Sequence, residues 1–390
     1  MSTLEQTIGG IRFKSPLVIG AGPLSDRADL IRRAAECGAG AVSIKQTAWS
    51  EPRPGVRKMY ARRGSYFFNP SDRRLSPARA AELIRQCRQE TDIPLLVNIL
   101  GAGADADTWA ALGQQLQEAG ADGLELNFAC PNPPAQTGQG GRGFQYGASL
   151  SQDPALAGEI IAALTRHLAI PVWVKFSGDG TDTAALCRAA RAAGAAGVTV
   201  FCSPRGVFPI DIEQGGRPQL ADLTRCSFGG INGPAIRPAS NRVVAEAAMA
   251  CPELPVMGGG GISAAAHAIE TIMFGASLTF LFTEVMLNGF EVLKRLNEDI
   301  LAFMEAHGYG TVDAMRALAL RYVVPNSALD YAIGPPARVD ETRCRGCGAC
   351  TKIAFCRALR LENGTARVEP SLCECCGLCA SLCPAGAITF

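Results

Sequence analysis

Eight cysteines in the last 47 residues fall into two runs, Cys344-x2-Cys347-x2-Cys350-x5-Cys356 and Cys373-x2-Cys376-x2-Cys379-x3-Cys383-Pro384. Three thiolates at two-residue spacing wrap a short loop around one corner of an iron–sulfur cubane. The fourth cysteine of each run characteristically ligates the other cluster. The spacing predicts one [4Fe–4S] cluster on Cys344, Cys347, Cys350 and Cys383, and a second on Cys356, Cys373, Cys376 and Cys379. Structural zinc takes its cysteines in pairs, which the triple runs and the Cys-Pro ending do not match. The first run departs from the usual pattern, with five residues before its last cysteine and Arg357 in place of proline, and Cys375 is surplus. Such clusters transfer single electrons and imply no substrate chemistry of their own.

Chemistry on a substrate needs other residues. Cys130 lies in LELNFACPN at 124–132, just past an apolar run. A thiol on such a loop suits general acid or base work, and a buried structural thiol is the plainer alternative. Asn127 and Asn132 beside it offer paired donors and acceptors. Lys175 ends the apolar run VWVKF, so it either points a cation into a pocket or snorkels to the surface; Lys45 ends an earlier run in the same way. The four glycines Gly258 to Gly261 allow backbone N–H groups to approach a phosphate closely.

These residues share one kind of position. From residue 15 to about 308, short β-branched runs alternate with Ala/Leu-rich helical stretches. The runs are 16–20, 40–45, 94–99, 123–127, 171–176, 197–202, 255–258 and 276–282, with helices expected over segments such as 76–90, 105–119 and 181–193. Eight strands alternating with helices fit a (β/α)8 barrel, whose functional residues sit at the strand ends. A doubly wound sheet is the rival, but no GxGxxG follows the first strand. LEQTIGGIRFKSP, at the start, reads as a hairpin closing the barrel floor. The Gly-Pro-Pro of 326–338 marks a linker. The division is therefore a barrel over 1–325, a linker over 326–338 and a small α+β ferredoxin-like domain over 339–390.

Composition agrees. Hydrophobic residues make up 48% and charged residues 19%, and 37 basic against 36 acidic side chains leave a net charge of +1. That excludes an electrostatic footprint for nucleic acid, and no apolar stretch is long enough for a membrane span. Nine of the 16 cysteines are crowded at the end of a chain whose first residues are not a basic start into an apolar run. The expectation is a reducing, cytoplasmic setting.

The barrel resembles the dihydroorotate dehydrogenase superfamily, and within it the FMN- and iron–sulfur-carrying part of the dihydropyrimidine dehydrogenases. The resemblance is carried by LELNFACPN, GRGFQYGASLSQDP at 141–154, VKFSGDGTD at 174–182, FGGINGPAIRP at 228–238, GGGGI at 258–262, GASLTFLFT at 275–283 and the cysteine runs. It implies FMN at the barrel mouth, with Ala21, Gly22, Lys45, Gln46, Asn98, Asn127 and Lys175 around its ring and ribityl chain. The phosphate would lie on Gly229, Gly230, Gly259, Gly260, Gly261, Phe282 and Thr283. Cys130 would exchange the proton next to the carbon that exchanges hydride, with Asn69, Asn127, Asn132, Cys202 and Ser203 toward the substrate. A homo-oligomer is also implied.

Two departures bear on the substrate. Ala129 stands where the family carries a serine, and Cys202-Ser203 replace an Asn-Thr pair that binds the pyrimidine edge. Phe128, Phe201 and Arg205 are added nearby, and an arginine suits a carboxylate. The expected activity is an oxidoreductase acting on a carbonyl-activated CH–CH bond. It would be dihydropyrimidine dehydrogenase-like, or the same chemistry on an enoate, cyclic enone or enoyl-CoA. Its clusters would relay electrons to or from a separate NAD(P)H-oxidising FAD subunit or a soluble ferredoxin. An electron-transfer subunit without its own substrate, and a flavin-free lyase using Lys175, are the remaining alternatives.

Overall fold

The computed structural model describes residues 2–49, 59–62, 65–69, 74–130, 147–219, 225, 228–331 and 334–390. It divides into two compact units, Met1–Val323 and Val324–Phe390.

In the first unit eight parallel strands close into a barrel: β1 (Leu17–Ile19), β2 (Ala41–Ala48), β3 (Leu95–Leu100), β4 (Gly123–Phe128), β5 (Val172–Ser177), β6 (Gly197–Phe201), β7 (Val256–Gly259) and β8 (Leu278–Leu281). Each strand pairs with its neighbours in sequence, and β8 closes onto β1. All eight runs expected from the sequence are strands, so the (β/α)8 reading holds. The helices are α1 (Ala28–Glu36), α2 (Pro77–Glu90), α3 (Ala106–Glu118), α4 (Pro154–His167), α5 (Thr183–Ala192), α6 (Arg237–Ala250), α7 (Ala265–Met273), α8 (Thr283–Asn288) and α9 (Val292–His307). Their starts are chemically marked. Ser76, Asp105, Asp153 and Asp182 each cap a helix by accepting a backbone N–H, and Pro77 and Pro154 follow two of these caps, where proline loses no needed donor.

Two cores follow from the alternation of the strands. Leu17, Ile19, Leu124, Leu126, Phe128, Val174 and Phe176 pack outward against the helices. Val18, Leu96, Trp173, Met257, Leu278 and Phe280 fill the barrel's interior with Ile8, Ile11 and Phe13 of an N-terminal hairpin. That hairpin, Gln6–Ile8 against Ile11–Phe13, turns through Gly9 and Gly10 at φ +57° and +80°, the two positive φ values a two-residue turn needs.

The sequence reading missed a four-stranded antiparallel sheet beside the barrel. Arg205–Val207 pairs with Phe228–Asn232, which pairs with Tyr66–Asn69, which pairs with Tyr60–Arg62. Among the described residues no helix is long and apolar enough to cross a membrane.

The second unit is built from two short antiparallel pairs, Arg338–Val339 with Ile388–Thr389 and Leu359–Glu362 with Thr365–Val368, and the helix Leu378–Leu382. Its core is Ala337, Cys350, Ile353, Ala366, Cys379 and Ile388. Ala337 and Arg338, at the end of the stretch read as a linker, belong to this unit: the first is buried and the second is in a strand.

Candidate functional site

Two cavities open at the C-terminal ends of the barrel strands. The first, of about 480 Å³, is lined by Gly20, Ala21, Gly22, Gly260, Gly261, Phe282, Thr283 and their neighbours. The second, of about 400 Å³, is lined by Gln46, Asn98, Asn127, Ala129, Cys130, Ser203 and others. They share Ala21, Lys45, Lys175, Phe201 and Asn232, so together they form one bipartite site of the size small ligands occupy.

Strand geometry explains the polar floor. Along β4 the residues alternate, Glu125 and Asn127 on one face and Leu124, Leu126 and Phe128 on the other, in the helix-facing core. Register places Asn98 opposite Glu125 and Lys175 opposite Asn127. The Asn98 Nδ2 donates to Glu125 Oε2 at 2.6 Å, and Ser43 Oγ donates to the same oxygen at 2.7 Å. Lys175 Nζ stands 3.4 Å from that oxygen, with the Phe280 ring centroid 5.1 Å away. Asn127 Nδ2 in turn donates to Asn98 Oδ1 at 2.8 Å.

Lys45 and Gln46 both reach the site, which a regular strand would forbid by its period of two. The pairing of β2 with β3 gains one residue between Ile44 and Thr47, and such a bulge re-aims side chains. Gln46 is buried, and its Nε2 has no partner among the described residues. A buried amide donor without a partner costs about 1–3 kcal/mol, so it fits a ligand's acceptor. After β7 the chain turns through Gly260 and Gly261 at φ +106° and +80°. A Cβ at Gly260 would sit 2.4 Å from Ser240 Oγ, and one at Gly22 would sit 2.0 Å from the Phe282 ring. At these two positions the protein's own side chains leave no room for a Cβ, and both glycines line the first cavity. The orphaned amide and the glycine turns fit a flavin mononucleotide.

Cys130 is half-buried and lines the second cavity. Asn127 Oδ1 accepts the N–H groups of Ala129 and Cys130 at 3.0 and 2.9 Å, and the Cys130 carbonyl accepts from Ala148 N–H at 2.9 Å.

Some expected placements change. Cys202 lines neither cavity. It is buried in the helix-facing core, its N–H donates to Ser240 Oγ at 3.0 Å, and burial pushes its thiol pKa up. Thr199 and Phe201 face inward on β6, so the next residue but one faces the site and Cys202 faces away. Ser203 does reach the cavity, donating through Oγ to the Ile231 carbonyl. Gly230 lines the second cavity rather than the phosphate end, and Gly229 and Gly259 line neither. Gly233 and Ser263 join Gly260, Gly261, Phe282 and Thr283 in the first. The backbone of Asn69 pairs with Gly230, and Asn132 lies outside the described residues. Glu125, Ser177, Asp179 and Asn232 were not anticipated.

In the second unit, Cys344, Cys347, Cys350 and Cys383 line one small cavity, and Cys356, Cys373, Cys376 and Cys379 line another together with Cys375. These are the two sets of four that the spacing predicts. Backbone N–H groups of Ala366, Ala337 and Ala387 point at the sulfurs of Cys344, Cys373 and Cys383 at 3.4, 3.5 and 3.2 Å. Among the described residues no three His, Cys, Asp or Glu side chains converge closely enough to hold a single metal ion. A cubane takes one thiolate at each iron, so its ligands surround a volume instead of a point. Gly346, at φ +63°, leaves no room for a Cβ, which would stand 2.2 Å from the Gly364 carbonyl. The Cys375 thiol is turned away and donates to the Gly334 carbonyl at 2.8 Å.

Comparison with known proteins agrees with this geometry. The family model described as dihydroorotate dehydrogenase matches residues 3–304. The catalytic subunit of dihydroorotate dehydrogenase B (NAD(+)) from Pyrococcus abyssi is 31% identical over 82% of this chain and 99% of that protein. Its counterpart from Methanothermobacter thermautotrophicus is 29% identical over 81% of this chain and 98% of that protein. The NAD-dependent dihydropyrimidine dehydrogenase subunit PreA of Escherichia coli is 24% identical over 89% of this chain, a span longer than the first compact unit, and 84% of that protein. The chain belongs to the dihydroorotate dehydrogenase family, and is a flavin oxidoreductase acting on a CH–CH bond.

Proposed function

We propose that the chain binds FMN across the two cavities and reduces or forms a carbonyl-activated C=C bond in the second. Ala21, Gly22, Lys45, Gln46, Asn98, Asn127 and Lys175 would surround the ring and ribityl chain, and Gly233, Gly260, Gly261, Ser263, Phe282 and Thr283 the phosphate. Bound FMN supplies hydride exchange at one carbon of the substrate. Cys130 handles the proton at the adjacent carbon, giving it up in reduction and taking it in oxidation. Asn127 fixes the loop that carries that thiol, and the Lys175 ammonium supplies positive charge where the reduced ring becomes anionic. The observation that carries this reading is the joining of a glycine-lined cavity to one containing Cys130 through Lys45 and Lys175.

The eight cysteines around two cavities of the second unit support two [4Fe–4S] clusters in a ferredoxin-like domain, which would carry single electrons to or from a partner. The match to PreA extends past the barrel, and the relatives' names describe subunits. Both support a separate NAD(P)H-oxidising flavoprotein subunit, or a soluble ferredoxin, in a reducing compartment.

A non-pyrimidine substrate is the second reading. Ala129 and Arg205 line the cavity, the first without a hydroxyl and the second with a guanidinium suited to a carboxylate or thioester acid. Cys202 no longer argues for it. The test is anaerobic reoxidation of the photoreduced protein by uracil, thymine, orotate, enoates and enoyl-CoAs. Rapid reaction with uracil selects the pyrimidine reading, and rapid reaction with an enoate or enoyl-CoA alone selects the second. No reaction with any of them sinks both.

A further inference from the structure

We propose that Glu125 is a positioning residue that ties the flavin-facing cation to the proton-transfer loop. The proposal rests on the FMN reading above and concerns this chain's residues alone. Glu125 is 1% exposed, and a carboxylate in such a place is costly unless its charge is matched and its oxygens are bonded. A single oxygen, Oε2, meets Ser43 Oγ at 2.7 Å, Asn98 Nδ2 at 2.6 Å and Lys175 Nζ at 3.4 Å, while Oε1 has no hydrogen-bond partner among the described residues.

Two paths leave that oxygen. One is the ion pair with Lys175, which lines both cavities. The other runs through Asn98 at 2.6 Å and Asn127 at 2.8 Å, whose Oδ1 accepts the N–H groups of Ala129 and Cys130 at 3.0 and 2.9 Å. The amide of Asn98 has one fixed orientation because Glu125 can only accept from it. That leaves its Oδ1 for Asn127, whose own Oδ1 then faces the loop. The carboxylate thus sets the polarity of the chain of amides from below and offsets the Lys175 charge from the side. Glu125 lines neither cavity, so its influence on substrate chemistry is indirect.

The two paths separate by substitution in the FMN-loaded protein. Glu125→Gln removes the charge and keeps an oxygen for Asn98. With Lys175 then uncompensated, reduced FMN should gain about tenfold in binding over oxidised FMN. That corresponds to an upward shift of about 30 mV in the two-electron midpoint potential. Alkylation of Cys130 by iodoacetamide, followed by peptide mass spectrometry, should stay within about twofold of the parent rate. Glu125→Asp keeps the charge but withdraws the oxygen from Asn98, and Cys130 alkylation should quicken at least threefold. It also serves as the second variant should Glu125→Gln fail to fold. Adding Glu125→Gln to Lys175→Gln should move the potential no further.

Folded, FMN-loaded variants with parental potential and parental alkylation would overturn the proposal, as would equal potential shifts in the two Lys175 backgrounds. Failure of the parent protein to hold FMN at all would instead sink the flavin reading.

Discussion

Asn127 holds the loop of Cys130 by a single oxygen, which accepts the N–H groups of both Ala129 and Cys130. The backbone of Cys130, the residue proposed to transfer a proton, is therefore tied to the barrel. It is fixed by a side chain of the strand that precedes it, and that side chain is itself held by Asn98. Reactivity and architecture meet at this point.

Replacing Asn127 with alanine removes the acceptor and leaves the Asn98 oxygen without its donor. We expect a loss of about 1–3 kcal/mol in stability and a fall in turnover of at least tenfold. Thermal melting and steady-state rates check both.

Gly147→Ala attacks the same loop from the other side. Gly147 has φ +49°, and a Cβ there would stand 2.3 Å from the Cys130 carbonyl. The backbone must move, so turnover should drop while FMN content is retained. A variant with parental turnover would show that the loop position does not matter.

A third expectation concerns thiol reactivity. Burial pushes Cys87 up to about 11 and Cys187 up to about 12. At about pH 8 these thiols carry a thiolate fraction on the order of 10⁻³ or less, and the thiolate is the reactive form. Their alkylation should be negligible at that pH and rise about tenfold per pH unit toward pH 10. Cys130, which lines a cavity, should be modified ahead of these two buried thiols, as peptide mass spectrometry of the folded protein can record.

The two proposed clusters make a stoichiometric prediction. Anaerobically purified protein should carry about eight iron atoms per chain. Cys347→Ser or Cys376→Ser should each reduce this to about four, leaving one cluster's spectroscopic signal. Two zinc ions per chain with no iron would overturn the assignment.

The barrel was legible because its eight apolar runs and capped helices follow simple periods. The grouping of the cysteines around two small cavities was legible because it follows their spacing along the chain. Side-chain facing was harder. The resemblance puts Cys202 toward the substrate, yet with Phe201 facing the site its neighbour must face the helices. Gly229 and Gly230 differ in the same way. Lys45 and Gln46 share the site only through a bulge that no local pattern announces. Glu125 reads as one of two polar residues in an otherwise apolar strand, and only register against β3 and β5 reveals what it touches. The antiparallel sheet of Tyr60–Arg62, Tyr66–Asn69, Arg205–Val207 and Phe228–Asn232 joins segments far apart in sequence, which strand periodicity cannot pair.

The central claim is that a flavin and Cys130 act together on one C–C bond. The most direct measurement is a single-turnover experiment with the photoreduced, anaerobic protein and its Cys130→Ala variant, following flavin absorbance as a carbonyl-activated alkene is added. Heating should release one FMN per chain from both proteins. The parent should be reoxidised by one class of alkene, and the variant should react about 10²- to 10⁴-fold more slowly with that class. Reoxidation of the variant at the parental rate, or a parent protein without FMN, would contradict the account.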